Sequence, residues 1–465
     1  MSSSEESKTT DSLPALQRTL GGWQILFYGL GSMLGAGIYA LVGKAATDLG
    51  NAVWLAFLMA MVAAILTGLS YASVGSRYAR AGGASFVTQH AFRKPMLSYI
   101  IGLAVMMSGL TSMATGSQAI AENLQRAFDW DIPTKFLAIA IVAMIGAVIY
   151  RGIRESMWLN LVCTVVEAGG LLFIIAVGMK YWGSVNYLET PHDLAAGGVP
   201  GSGITFSLVL QGAVLTFFSF IGFEDILNVS EEVKNPKKDI PFGLIGAMIA
   251  ATLIYIAVSI TAVSVLGWEE LSTAKAPLME VAHRAAPWFG GIDKFFGAIT
   301  IFAIGNTALL NYLMGSRLLY GMSRQGLLPR ILGNVHPRRH TPHVAIFVLF
   351  GIVCVLILAG GIKALAEATV LLLLGVFVCV NLSLLVLQRR TNEPRGGFEI
   401  SSIIPLLGSL VCALLLGSRL LKGFITGNQE DFKAPFISLI IIVTAAALYF
   451  ILKPKAPIEN VSPST

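Results

Sequence analysis

Residues 31–43 read GSMLGAGIYALVG, inside an apolar stretch (24–47) long enough to cross a bilayer, yet Gly31, Gly35 and Gly37 fall within seven positions. Each glycine costs a helix interior roughly 1 kcal/mol relative to alanine. A backbone group left unpaired in hydrocarbon costs several times that. Two readings follow. Gly31-x-x-x-Gly35 has the small-xxx-small spacing that lets membrane helices pack closely. Alternatively, the helix is interrupted here because its loosened backbone has another use.

The surrounding composition fixes the setting. The 465 residues are 55% apolar and 12% charged, with a mean hydropathy of +0.74, whereas an average soluble domain carries about 25% charge. An all-α integral membrane protein is expected. Taking about 20 apolar residues as a crossing, twelve stretches qualify, near 24–47, 51–76, 96–124, 133–151, 156–179, 206–230, 239–267, 290–322, 342–361, 364–388, 400–421 and 434–452. The polar ends, 1–23 and 453–465, read as tails, and the first lacks the basic-then-apolar order of a cleaved signal peptide. The Gly- and Pro-containing stretch 181–205 reads as an external connection.

Lys and Arg are distributed unevenly among the loops. With a cytoplasmic N-terminus, 21 of the 32 fall on the inner side, among them Arg77, Arg80, Arg93, Lys94, Lys237, Lys238, Arg338 and Arg339, and counting Arg317 at the inner end of the eighth span. That two-to-one excess predicts both termini in the cytoplasm, with the chain in the cell's inner (cytoplasmic) membrane. It also explains the basic pI of 9.1 without a nucleic-acid partner. The four cysteines, Cys163, Cys354, Cys379 and Cys412, all lie in apolar spans, where cysteine acts as a small hydrophobe, so neither disulfides nor a metal site is expected. The pattern HPRRHTPH (336–343) pairs its histidines with arginines that would repel a cation, and reads as a topology signal. No GxxxxGK[ST] loop is present, which argues against an ATP-driven pump, and no HExxH or Ser-His-Asp pattern points to an enzyme. A secondary transporter, a channel and a membrane-bound sensor remain.

The sixth span narrows the choice. It reads LTFFSFIGFEDILNVSEEVKNP, with Gly222 among aromatics and Glu224 and Asp225 directly after. Spans 1 and 6 are thus both interrupted near mid-membrane, five helices apart, and such pairs point to the binding site of a secondary transporter. Unwinding frees N–H groups at one half-helix and C=O groups at the other, able to hold a ligand's charged ends.

The chain resembles amino acid permeases of the amino acid–polyamine–organocation superfamily. The stretches GSMLGAGIY (31–39), YASVGSRYARAGG (71–83), RGIRESMWLN (151–160), FFSFIGFEDILNVSEEVKNPKKDIP (217–241), SRLLYGMSRQGLLP (316–329) and HTPHVAI (340–346) carry the likeness. It implies a five-plus-five inverted repeat (about 24–180 and 206–388) with two added helices (about 400–452), alternating access, and no cofactor. It further implies that Gly35, Ala36 and Gly37 meet a substrate carboxylate, with Ser32 one turn earlier. Phe218, Ser219 and Ile221 would face the substrate's amino group and side chain, Phe218 as a closing lid.

Two charges lie deep. Glu167 falls about eleven residues into span 5, or ~17 Å, where a carboxyl could carry a coupling proton or simply bind spans 5, 1 and 8 together. Proton-coupled relatives have a lysine at the corresponding place, standing in for a sodium ion, so their mechanism does not transfer to Glu167. Glu224 matches a carboxylate linked to gating in related exchangers, with Asp225 beside it, or else it lies solvated at the cytoplasmic mouth. Asn306, Thr307 and Asn311 could face the cavity from span 8 or bind helices together. Glu122 and Glu367 are expected at outer helix ends. The stretch EEVKNPKKDIP reads as a charged loop, with Pro241 in the first turn of span 7. The expected function is alternating-access transport of amino acids by proton symport or exchange, leaning towards neutral substrates. A polyamine carrier and a non-transporting nutrient sensor on the same scaffold are the alternatives.

Overall fold

A computed structural model of the protein describes residues 16–128, 131–193, 198, 199, 201–274, 276–359, 362–426 and 430–454. Among these the secondary structure is helical, apart from one isolated bridge between Leu20 and Val233. In chain order the α-helices are α1 (Gly22–Met33), α2 (Ala36–Leu49), α3 (Val53–Arg77), α4 (Gly83–Phe92), α5 (Pro95–Phe128), α6 (Thr134–Arg151), α7 (Ile153–Gly178) and α8 (Phe206–Thr216). They continue with α9 (Pro236–Thr273), α10 (Pro277–Ala285), α11 (Ile292–Arg324), α12 (His343–Ala359), α13 (Ile362–Gln388), α14 (Ile403–Thr426) and α15 (Glu430–Leu452).

Eight helical segments among the described residues are long and apolar enough to cross a membrane, and His343–Leu358 and Ser438–Leu452 are shorter apolar helices. The protein is a multi-pass membrane protein. Its outward faces are apolar: Leu406, Leu410 and Leu414 on α14 and Leu439, Val443 and Phe450 on α15 are exposed. Exposed Trp23, Trp158 and Trp288 suit the headgroup region, where tryptophan's apolar ring and polar N–H are both accommodated.

The interruptions in the first and sixth spans are real breaks. The first span divides into α1 and α2, separated at Leu34 and Gly35. In the sixth, α8 ends at Thr216 and gives way to two 3-10 segments, Phe217–Phe220 and Phe223–Glu232, separated at Ile221 and Gly222. Gly222 has φ +127°, left-handed backbone that glycine adopts without steric cost. The most extensive interhelical packing joins α5 to α11 and α3 to α9, and these four helices surround the breaks.

Three expectations change in detail. The seventh span starts at Pro236, the first helical position, where a missing N–H costs nothing; Pro241 is therefore inside α9 and not in its first turn. The acidic half of EEVKNPKKDIP is no solvated loop, because Glu232 is fully buried. Arg317, counted as an inner cation, is also fully buried in α11, and its Nε and Nη2 donate to Glu232 Oε2 and Oε1 at 3.1 and 3.3 Å. In the connection after α7, Asp193 accepts from Thr190 N (2.8 Å), Gly203 N (2.8 Å) and Gly201 N (3.1 Å). Burial alone would raise its carboxyl; these donors outweigh that and hold it at about 2.

The Glu232–Arg317 pair closes the fold at the end bearing both termini. The Glu232 carbonyl accepts from Thr19 N and Leu20 N, both at 2.9 Å, and Lys234 N donates to Leu20 O at 2.8 Å. Glu231 accepts from Ala81 N (3.0 Å) and Tyr320 Oη (3.3 Å). Removing one member of a buried ion pair strands the other charge at a cost of about 3–5 kcal/mol. Arg317→Met should therefore lower the melting temperature of the detergent-solubilised protein sharply. Arg317→Met with Glu232→Leu should recover most of the loss, which a thermal melt of both variants checks.

Candidate functional site

The two breaks face one another with almost nothing between them. A Cβ added at Gly37 would lie 2.8 Å from both Cα and Oγ of Ser219, and one added at Gly222 would lie 2.6 Å from the Ser32 carbonyl oxygen. Only hydrogen atoms fit at those two points. Tyr255 of α9 ties the breaks together: its hydroxyl lies 2.5 Å from Met33 O and 2.8 Å from Ser219 O, and donates its single proton to one carbonyl at a time. Nothing in the sequence marks this residue, since a tyrosine in an apolar span is ordinary.

A cavity of about 220 Å³ opens beside this junction. Of the expected site residues, Ser32, Gly35, Gly37, Phe218, Ile221 and Glu224 line it. Ala36 begins α2, and its side chain lies outside the described residues, as does that of Glu367. Ser219 is buried behind the wall, against Gly37. Asn306 does not line the cavity, whereas its neighbours on α11, Thr307 and Asn311, do. Apolar wall is added by Val105, Ile304, Met314 and Leu373. At the N-terminus of α2, the first N–H groups lack intrahelical partners, and Gly35 offers no capping side chain.

Glu224 and Asp225 are not at a solvated mouth. They are 5% and 4% exposed, and both line the cavity. Gly222 N donates to Glu224 Oε2 at 2.7 Å, and Ser32 Oγ donates to Asp225 Oδ2 at 3.0 Å. One carboxylate thus caps its own broken segment and the other fastens the first break to the second. Among the described residues no lysine or arginine lines the cavity.

Glu167 occupies a separate centre behind α1. It lies fourteen residues past the start of α7, or ~21 Å, and is fully buried. Neither of its oxygens has a hydrogen-bond partner at conventional geometry; Asn306 is its principal polar neighbour. Asn306 Nδ2 donates to Thr164 Oγ1 (3.2 Å) and lies 3.5 Å from Gly31 O, and Thr164 Oγ1 donates to Asn160 Oδ1 (3.2 Å). A Cβ at Gly31 would lie 2.6 Å from Asn306 Nδ2 and 2.7 Å from Asn160 Oδ1. Gly31 therefore serves close packing of α1 against α7 and α11, while Gly35 and Gly37 serve the cavity. Glu122 is exposed near the end of α5, away from both centres.

Two broken helices around a shared cavity set the context for comparison with known proteins. The amino acid permease family model matches residues 20–447. The chain belongs to the amino acid permease family. Related proteins include the branched-chain amino acid permease BcaP of Bacillus subtilis, 27% identical across 86% of this chain and 88% of its own. The methylthioribose transporter of the same organism is 29% identical, across 86% and 87%. Cationic amino acid transporter 4 of mouse is 31% identical over 82% of this permease, which spans 61% of that longer protein.

Two substitutions test the junction. Gly37→Ala should abolish ligand binding in the permease, because its Cβ meets backbone of Ser219 that cannot withdraw. Tyr255→Phe removes the one donor that the buried Met33 and Ser219 carbonyls share, at about 1–3 kcal/mol. It should lower both the melting temperature and ligand affinity, by roughly tenfold for each 1.4 kcal/mol lost from the bound state. Isothermal titration and a thermal melt of each purified variant read these outcomes.

Proposed function

We propose that this permease is a secondary transporter that carries amino acids across the cytoplasmic membrane by alternating access. The meeting of two backbone breaks across one enclosed cavity carries the reading. Twelve crossings follow if α1–α2 and α8 with its 3-10 continuation each count as one span and α12 and α15 complete the set, with both termini in the cytoplasm. The close packing of α3 on α9 and of α5 on α11 supports an inverted repeat, since these are the second and third spans of each half.

In this scheme the α-carboxylate sits at the free N–H groups of Gly35, Ala36 and Gly37, where the α2 dipole favours negative charge. The carbonyls of Met33 and Ser219 already accept from Tyr255, so the ammonium group turns to the remaining unwound carbonyls and to Glu224 and Asp225. Phe218 and Ile221 contact the side chain, with Phe218 as the lid, while Ser219 and Asn306 hold the wall from behind. Glu167 carries the coupling proton if transport is symport, and Glu224 links binding to gating. Burial of Glu167 without a hydrogen-bond partner supports that role, because such a carboxyl can take up and release a proton without displacing another bond.

A second reading concerns the cargo. The apolar wall suits a neutral side chain, but two carboxylates with no lining base favour a substrate carrying an additional cation. Uptake of a labelled amino acid pool into proteoliposomes, with and without an inward proton gradient, separates these. Leucine-like label accumulating under the gradient supports neutral symport; displacement of that label by lysine or arginine supports the cationic substrate. Uptake only into amino-acid-preloaded vesicles identifies exchange, and none under any condition overturns the transport reading. Glu167→Gln should remove gradient dependence while leaving the binding constant within about threefold, well under 1.4 kcal/mol. Undiminished coupling in that variant assigns Glu167 a packing role alone.

A further inference from the structure

A second cavity, of about 410 Å³, lies at the end of the molecule that carries both termini, and its lining includes Arg18, Ser76, Arg77, Lys234, Lys237 and Lys238. Among the described residues no carboxylate lines it. Five cations from three separate parts of the chain converge here: the segment preceding α1, the last turn of α3, and the entry to α9. Arg77 is paired with Glu399, but its side chain is only 6% exposed and its buried Nε has no hydrogen-bond partner. Arg18, Lys234, Lys237 and Lys238 have no carboxylate within ion-pair distance among the described residues. Lys237 and Lys238 occupy the first turn of α9, where the helix dipole is positive and adds to their charge. Asp239 in the same turn is engaged at 3.1 Å by Asn235 N.

Cations gathered in this way repel one another, and what neutralises them is a multivalent oxyanion. We propose that this cavity binds a phosphate group, either the headgroup of an anionic lipid or a soluble phosphate, and thereby holds the permease closed on the side of its termini. The second half of the proposal follows from the position of the cavity. Arg18 stands two residues before Leu20, and Lys234 immediately after Val233, the two residues of the bridge. That bridge is made by Leu20 N to Glu232 O and Lys234 N to Leu20 O. An anion between Arg18 and Lys234 removes the repulsion across the bridge and joins both to α3 and α9. Departure of the anion leaves four unpaired cations pressing the same bridge apart.

The amide protons of Leu20 and Lys234 report on the bridge directly. Hydrogen exchange of the full-length permease would be followed in nanodiscs of phosphatidylcholine, of phosphatidylcholine with phosphatidylglycerol, and of phosphatidylcholine with added inorganic phosphate. Peptides covering 16–22 and 231–239 should exchange about tenfold more slowly with the occupying anion, the equivalent of one decade in the opening constant. Protection by phosphatidylglycerol alone identifies a lipid headgroup, and protection by inorganic phosphate in neutral lipid identifies a soluble ligand. Lys237→Gln with Lys238→Gln should weaken the apparent affinity for the anion roughly thirtyfold, about fivefold for each cation near the surface, and so remove the protection at anion levels that protect the unaltered permease. Arg338→Gln with Arg339→Gln, on the same side but outside the cavity, should leave it unchanged. Equal exchange in all three nanodiscs, or equal loss in both double variants, overturns the proposal.

Discussion

Everything in this permease is arranged around the contact between two lengths of unwound backbone. Hydrocarbon supplies no hydrogen bonds, so a broken helix survives there only if protein groups replace the lost partners. Here each break supplies groups to the other. Ser32 at the end of α1 bonds to Asp225 after the sixth-span break, Gly222 approaches the Ser32 carbonyl, and Gly37 lies on the backbone of Ser219. Tyr255 stands across the seam with a carbonyl from each side within reach. The closeness of the breaks and the absence of side chains between them have one cause: a Cβ at either glycine would push them apart and expose both.

Polar centres flank this seam at different depths. Behind it, Thr164, Asn160 and Asn306 crowd around Gly31, with Glu167 nearby and unbonded. Towards the termini, the second 3-10 segment of the sixth span ends in Glu231 and Glu232, which fasten it to the chain before α1, to α11, and to the start of the α3–α4 connection. Such bonds have two discrete states, made or parted. The Glu232–Arg317 pair adds rigidity to that closure more than net stability, since desolvating both charges offsets much of their attraction.

The cavity also bears on why one scaffold serves differently named relatives. In the proposed reading, backbone N–H and C=O groups recognise what amino acids share, while Phe218, Ile221, Val105 and Leu373, which line the cavity, present side chains that can vary without disturbing the seam. The two carboxylates combine the roles. Glu224 and Asp225 stabilise the breaks and line the cavity, so substituting either one alters the seam and the cavity wall together.

Membrane class and the two interruptions were legible in the sequence because each is written locally, in runs of apolar residues and in glycines that a lipid-embedded helix tolerates poorly. Ser32, Gly35, Gly37, Phe218, Ile221 and Glu224 were named through the family resemblance, which the stretches around those glycines carry. Which glycine packs and which opens the cavity was not legible: Gly31 and Gly35 look alike along the chain and differ only in what lies opposite, Asn160, Thr164 and Asn306 in one case and Thr307 in the other. Tyr255, Arg317 and Glu232 were hidden or misjudged because their partners are 222, 36 and 85 positions away. For Asn306 the sequence left cavity lining and helix binding both open, for want of a neighbour to fix the rotation; its amide reaches Thr164 and Gly31 instead of the cavity. The sequence by itself determined that backbone would be exposed at mid-membrane. Only the tertiary structure decided which groups satisfy that backbone, because hydrogen bonds across a bundle depend on how helices rotate and approach, and no local pattern encodes that.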